Sequence, residues 1–137
     1  MIARVFADTN LFIYAESQDP DKAARAIEII QNSQVISTQV INETVSVLIR
    51  KHKFLLSEAH EIKESLLDLC EVVAVDTSTL RKAIDLAKRY SLSHWDSLIV
   101  AAALLANCEK LYSEDMQHGQ VFDDQLTVVN PFSGIAD

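Results

Sequence analysis

The apolar run Ile2-Ala3-Arg4-Val5-Phe6-Ala7 meets Asp8-Thr9-Asn10 with no glycine or proline between them, and Leu11-Phe12-Ile13-Tyr14 follows at once. A short buried strand that ends on an acid and passes directly into a helix leaves few folds open. It describes the first unit of an α/β sheet, whose ligands collect at the carboxyl ends of the strands. Asp8 stands at such an end.

The same hand-over recurs along the chain. Leu11–Ser17 reads as a short helix. Asp19-Pro20-Asp21 is a helix start, with Asp19 as cap, Pro20 in the first position and Asp21 at the positive end of the dipole. Ala23, Ala24, Ile27 and Ile30 follow at helical spacing, and Asn32-Ser33 closes the helix. Val35-Ile36-Ser37 predicts a second strand and Thr38 opens a helix with Val40, Ile41, Val45, Leu48 and Ile49 on one face. Ser57 caps the next helix, which runs to about Leu69. Val72–Val75 reads as a third strand, and Asp76-Thr77 starts a helix that closes on Lys88-Arg89. Ser93-His94-Trp95-Asp96 opens a helix apolar all round, a pattern that demands burial on several sides. Lys110–Ser113 and Leu126–Val129 complete five strands.

Strands alternating with helices predict an α/β chain: a parallel sheet covered on both faces and joined by right-handed crossovers. At 137 residues, 49% of them hydrophobic, the whole span 1–137 is expected to form one domain with a real core. A net charge of −8 argues against a partner held by a broadly basic surface. It leaves room for a nuclease, whose own catalytic carboxylates add negative charge and whose bound cation inverts the local sign. Cys70 and Cys108 form no C-x-x-C pair and read as free thiols of a reducing compartment. Leu98–Ala106 is far shorter than the ~20 residues a bilayer needs, and the expected location is the cytoplasm.

Four of the twenty acids stand apart by position. Asp8 follows the first strand and Asp115 the fourth. Asp96 lies in the first turn of the helix that feeds the fourth strand, and Glu43 lies one turn into the helix after the second. Each has an ordinary structural role open to it. Asp8 can cap a helix, Asp96 can close a capping box with Ser93, Glu43 can face solvent, and Asp115 can form a turn. Together they fall at one end of the sheet. Carboxylates gathered there repel, and the cluster holds only if protonated or if a cation sits among them. Mg²⁺ and Mn²⁺ prefer hard oxygen ligands and supply what phosphodiester hydrolysis needs. Thr9, Asn10 and Ser113 are short polar neighbours suited to orienting such acids. His52, His60, His94 and His118 show no zinc spacing. Arg50, Lys51 and Lys53 complement the negative end of their helix, with phosphate contact as the functional alternative. Glu114, Asp123 and Asp124 read as surface acids, with Asp123 or Asp124 a peripheral contributor at most.

Asp8-Thr9-Asn10, Glu43, the stretch Ser93-His94-Trp95-Asp96-Ser97-Leu98-Ile99-Val100-Ala101-Ala102-Ala103, and Leu111-Tyr112-Ser113-Glu114-Asp115-Met116-Gln117-His118-Gly119 resemble the motifs of PIN-domain ribonucleases, most closely VapC-type toxins of toxin–antitoxin pairs. Ser113 stands where that family often has Thr, and keeps the hydroxyl. The resemblance implies a three-layer α/β/α fold with a parallel five-stranded sheet of order 3-2-1-4-5. It implies that Asp8, Glu43, Asp96 and Asp115 hold Mg²⁺ or Mn²⁺ and act in catalysis. It also implies a homodimer, structured RNA such as tRNA or rRNA loops as substrate, and a small antitoxin whose C-terminal segment crosses the groove.

Rival classes are separable. A phosphoacceptor domain wants a lysine after the fifth strand, where Val129-Asn130-Pro131 offers none. A haloacid-dehalogenase-type phosphatase wants Asp-x-Asp at the first strand, and position 10 is Asn. A housekeeping RNA-processing nuclease and a non-catalytic partner-binding module share the expected fold and differ in substrate and activity.

Overall fold

The computed structural model describes residues 3–32 and 34–135; Ile2 of the expected first strand and Ser33 of the expected helix end lie outside them. The described elements are β1 (Val5–Ala7), α1 (Thr9–Ala15), α2 (Pro20–Ile30), β2 (Val35–Ser37), α3 (Thr38–Arg50), α4 (Leu56–Leu69), β3 (Glu71–Val73), α5 (Thr77–Tyr90), α6 (His94–Leu105), β4 (Lys110–Tyr112), β5 (Val121–Phe122) and β6 (Leu126–Val129).

Caps set most helix starts. Asp19 accepts from the Asp21 and Lys22 N–H groups ahead of Pro20, Ser37 from Val40, Asp76 from Thr79 and Ser93 from Asp96. Two starts differ from expectation. α1 begins at Thr9, before Leu11, because the Asp8 side chain accepts from the Thr9 N–H at 2.7 Å. α4 begins at Leu56, not after Ser57, because Glu58 reaches back to the Leu55 N–H at 2.8 Å.

The sheet order is β3-β2-β1-β4-β6-β5. β3, β2, β1, β4 and β6 run parallel, and β5 pairs antiparallel with β6. The expected purely parallel five-stranded sheet is therefore corrected to a mixed sheet of six strands. Val121-Phe122 is too short to show strand alternation. Asp123 and Asp124, with φ of 51° and 53°, turn the chain back on itself; aspartate tolerates this left-handed region better than most residues.

From β1 the chain moves to β2 and then β3 on one side, and returns through α5 and α6 to β4 on the other. Right-handed crossovers then put α1–α4 over one face and α5–α6 over the other, which makes three layers. The core lies on both faces. Phe6, Ile36, Leu111 and Val128 are fully buried in the strands, and every residue of α6 from Ser97 to Leu104 is buried. Among the described residues no helix is long and apolar enough to cross a membrane.

Phe6 sits in β1 between Val35 of β2 and Leu111 of β4. Phe6→Ala is expected to cost about 3–5 kcal/mol of unfolding free energy, read by urea denaturation. An unchanged midpoint would show that the centre of the sheet does not carry the core.

Candidate active site

Ala7 of β1 stands opposite Tyr112 of β4. The next residue on each strand, Asp8 and Ser113, therefore emerges side by side at the carboxyl end. The chain leaves β1 toward β2 and leaves β4 toward β6, so the crevice between β1 and β4 is the switch point of the sheet.

Three consecutive residues tie that crevice together. Asp8 is buried; its Oδ1 accepts from the Thr9 N–H at 2.7 Å and its Oδ2 from the Ser113 hydroxyl at 3.1 Å. Thr9 Oγ1 donates to Glu43 Oε2 on α3 at 3.0 Å. Asn10 Nδ2 donates to Asp115 Oδ2, in the loop after β4, at 3.1 Å. Ser113 is itself buried, and its oxygen accepts from the Met116 N–H at 3.4 Å, which folds the loop that carries Asp115.

Electrostatics couples the four acids. Burial pushes the Asp8 carboxyl up to about 6; the bonds from Thr9 and Ser113 oppose the shift, and the charges of Asp115 and Glu43 add to it. Asp96 is half-buried in the first turn of α6. Its carboxyl is also raised, chiefly by burial, with Ser93 opposing and Asp115 and Glu43 adding. Among the described residues no lysine or arginine forms an ion pair with any of the four; Arg4, Lys22, Lys82 and Arg89 pair instead with Glu71, Glu114, Asp85 and Asp123.

Among the described residues there is no ready group of three or more His, Cys, Asp or Glu side chains that could hold a metal ion. The acids form an open rim, each partly held by a neutral neighbour. Mg²⁺ keeps several of its waters and takes one or two carboxylates directly. An all-oxygen rim with a buried, repelled carboxylate at its floor fits that hydrated mode and does not fit a closed cage.

The expected orienting residues Thr9, Asn10 and Ser113 all bond to one of the four acids. Arg50 borders a hollow with Glu43, Ser46, Val47 and Trp95. Lys51 and Lys53 are exposed at and beyond the end of α3, with no bond to the acids. Asp123 has no part in the site: Lys82, Arg89 and Tyr90 bind it and hold its carboxyl well below the usual range. His118 Nδ1 accepts from the Asn130 N–H at 3.0 Å, a structural role.

Sequence reasoning passed over three features. Gln39 Nε2 donates to Glu43 Oε1 at 3.0 Å from one helical turn earlier, a spacing legible once Glu43 is singled out. Glu114 is no free surface acid. Tyr14 donates to its Oε1 at 2.7 Å, and buried Lys22 reaches its Oε2 at 3.5 Å while lying over the Tyr14 ring. A lysine in the first turn of α2, against the helix dipole, was the available signal. The third feature is Trp95, which is 60% exposed beside the acids.

The PIN-domain family model matches residues 5–121. A sequence comparison with curated proteins found no match. Among solved structures, the chain resembles VapC20 of Mycobacterium tuberculosis, a sarcin–ricin-loop-cleaving toxin, with 17% identity and a TM-score of 0.68 over 81% of this chain and 89% of that one. It resembles a chain of a toxin–antitoxin complex from Klebsiella pneumoniae with 19% identity and a TM-score of 0.69 over 94% and 98% of the two chains. FitAcB from Neisseria gonorrhoeae gives 19% identity and a TM-score of 0.67 over 94% and 99%. At these identities the structural likeness speaks for the fold.

The raised Asp8 carboxyl makes stability depend on pH with a definite sign. Below about pH 3, folded and unfolded chains both hold the proton. As pH rises from about 4 to 6 the unfolded chain has given it up and the folded chain still holds it, so the folded chain loses stability, in all on the order of 2–3 kcal/mol. In EDTA, Asp8→Asn is expected to be more stable than the parent at pH 7.5 and to approach it at about pH 3, read by urea unfolding. A parent as stable as the variant at pH 7.5 would remove the strain assigned to Asp8.

Proposed function

The chain belongs to the PIN-domain family, and from that membership we propose that it is a divalent-metal-dependent endoribonuclease, the toxin of a VapBC-type toxin–antitoxin pair. One observation carries the reading. Asp8, Glu43, Asp96 and Asp115 are coupled at the switch point of the sheet, and among the described residues no protein cation is paired with them. A ligand with positive charge is what such a site lacks.

In this reading Asp8, Glu43, Asp96 and Asp115 hold Mg²⁺ or Mn²⁺. Bound there, the ion supplies charge stabilisation for the phosphoryl oxygens and acidifies water. The protein's own groups do the positioning. The Thr9 N–H and the Ser113 hydroxyl fix both oxygens of Asp8. Thr9 and Gln39 each take one oxygen of Glu43, so its carboxylate is aimed from two sides and can accept the proton of the attacking water. Asn10 sets Asp115 at the solvent edge of the rim. Hydrolysis then adds the water oxygen to phosphorus and breaks the bond to the leaving ribose oxygen. Arg50, on the same face of α3 as Glu43, is the candidate for an adjoining phosphate; Lys51 and Lys53 are candidates farther along the backbone.

The partners proposed are RNA, with tRNA or rRNA loops as the target class, a second copy of the chain, and an antitoxin whose C-terminal segment covers the acidic groove. The Klebsiella relative, a chain of a toxin–antitoxin complex, supports the antitoxin. The cleaving toxin VapC20 supports the substrate class. The cytoplasm is the compartment that matches such substrates.

Purified protein is expected to cleave RNA in Mg²⁺ or Mn²⁺ and to stop in EDTA. Asp8→Asn and Asp96→Asn should each lose more than about 100-fold, beyond the 10–100-fold expected for Ser113→Ala, which only orients Asp8. Equal activity in all four proteins would overturn the assignment. In a thermal-shift series after EDTA stripping, Mn²⁺ should raise the Tm of the parent and leave Asp8→Asn nearly unchanged.

A further inference from the structure

Trp95 is an exposed indole in the first turn of α6, one residue before Asp96. The His94 ring props it edge-on at 4.8 Å. Two hollows beside it share Glu43, Ser46 and Trp95 and so run together along α3. Val47 and Arg50 complete the lining of one, and Thr38, Gln39, Asn42, Val75 and Leu98 that of the other. Arg50 uses its Nε on Ser46 at 3.0 Å, and its two Nη groups have no partner among the described residues. The hollow thus joins an aromatic face, a free guanidinium fork and side-chain amides, beside the carboxylate rim.

Charge narrows the occupant. A net charge of −8 argues against holding a polyanion by a broadly basic surface. Affinity for RNA has to come from local contacts, and stacking on an aromatic ring is one that does not depend on net charge. A nucleobase in a duplex is already stacked on its neighbours, so the indole can take only a base that is unpaired or splayed out. An arginine fork beside the indole matches the phosphate of the same strand.

We propose that Trp95 is a base-stacking residue: its indole takes the base of an unpaired nucleotide flanking the scissile phosphate, and the Arg50 Nη groups take an adjoining phosphate. The inference rests on the nuclease reading and adds to it the residue that grips the base beside the scissile bond. Asn42, exposed on the wall of the hollow, faces the edge of the stacked base and is the residue through which one base would be preferred over another.

Trp95 is the sole tryptophan, so its emission reports on this position alone. Hexaadenylate RNA and an abasic ribose-phosphate hexamer are titrated into the parent protein in Ca²⁺, an oxygen-seeking cation, with oligomer integrity checked on gels and binding followed separately by anisotropy of the labelled oligomers. Stacking predicts that hexaadenylate quenches Trp95 and the abasic hexamer does not. Trp95→Ala should weaken hexaadenylate roughly 5- to 100-fold, the range for losing one stacked base, and leave the abasic hexamer unchanged, while Trp95→Phe stays within about threefold of the parent. Arg50→Gln should weaken both oligomers alike. Bound hexaadenylate with unchanged emission, no binding of hexaadenylate, or a Trp95→Ala variant that binds as the parent does would overturn the proposal. So would loss of self-association in Trp95→Ala on size exclusion, which would make the indole a protein contact. RNA cleavage lost in Asp8→Asn but retained in Trp95→Ala with unchanged KM would remove this inference and leave the nuclease reading standing.

Discussion

The hydrogen bonds at Asp8 join the two central strands where the sheet divides. Thr9 supplies one from its own backbone, and Ser113 supplies the other from the end of β4. A buried carboxylate in an apolar core is costly unless its oxygens are met. Here they are met by groups whose positions the parallel pairing of β1 and β4 already fixes. The bonds from Thr9 to Glu43 and from Asn10 to Asp115 extend the same tie to α3 and to the loop beyond β4. Three adjacent residues therefore set the spacing of acids drawn from three distant segments. Like charges are held close by neutral donors, and the Asp8 carboxyl stays raised, chiefly by its burial and to a smaller extent by the charges of Asp115 and Glu43.

This arrangement separates the site from the fold in energetic terms. The core is carried by side chains such as Phe6, Leu111 and Val128, and by a helix, α6, that is buried from Ser97 to Leu104. That helix also brings Asp96 to the rim, because its cap at Ser93 fixes where the buried stretch begins. Stability and chemistry share the helix and divide its turns: the first faces the crevice and the rest fills the space under the sheet. A protein built this way can keep an unfavourable cluster of acids, since hydrophobic burial elsewhere exceeds what the cluster costs.

Much of this was legible in the chain, for physical reasons that particular residues illustrate. Strand ends marked by Asp8 and Ser113, and helix starts marked by Asp19-Pro20, Asp76 and Ser93, are local signals in which capping chemistry sits beside hydrophobic period. The order of the four strands β3, β2, β1 and β4 was implied by the resemblance to PIN-domain ribonucleases and not by the hydrophobic pattern. What stayed hidden was either too short or too distant. β5 has two residues and pairs by virtue of a turn whose aspartates adopt an uncommon backbone. Glu114 reads as a surface acid until Lys22 and Tyr14 arrive from 92 and 100 positions away. Gln39 matters only because Glu43 does. The four carboxylates were visible as positions at one end of a sheet; the bonds that aim them are tertiary.

The clasp that Lys82 and Arg89 make on Asp123 has a bearing on how copies of this chain meet. A sheet edge with free N–H and C=O groups is a template for strand-to-strand growth, and short or charged edges blunt it. β6 would present four residues of such an edge, and β5 covers it with only two. The ion pairs from α5 hold that cover down. At the opposite border β3 is three residues long, and Glu71 there is occupied by Arg4. Both flanks of the sheet are thereby blunted against strand-to-strand growth. Contact between molecules is left to side-chain surfaces, where stoichiometry can be finite.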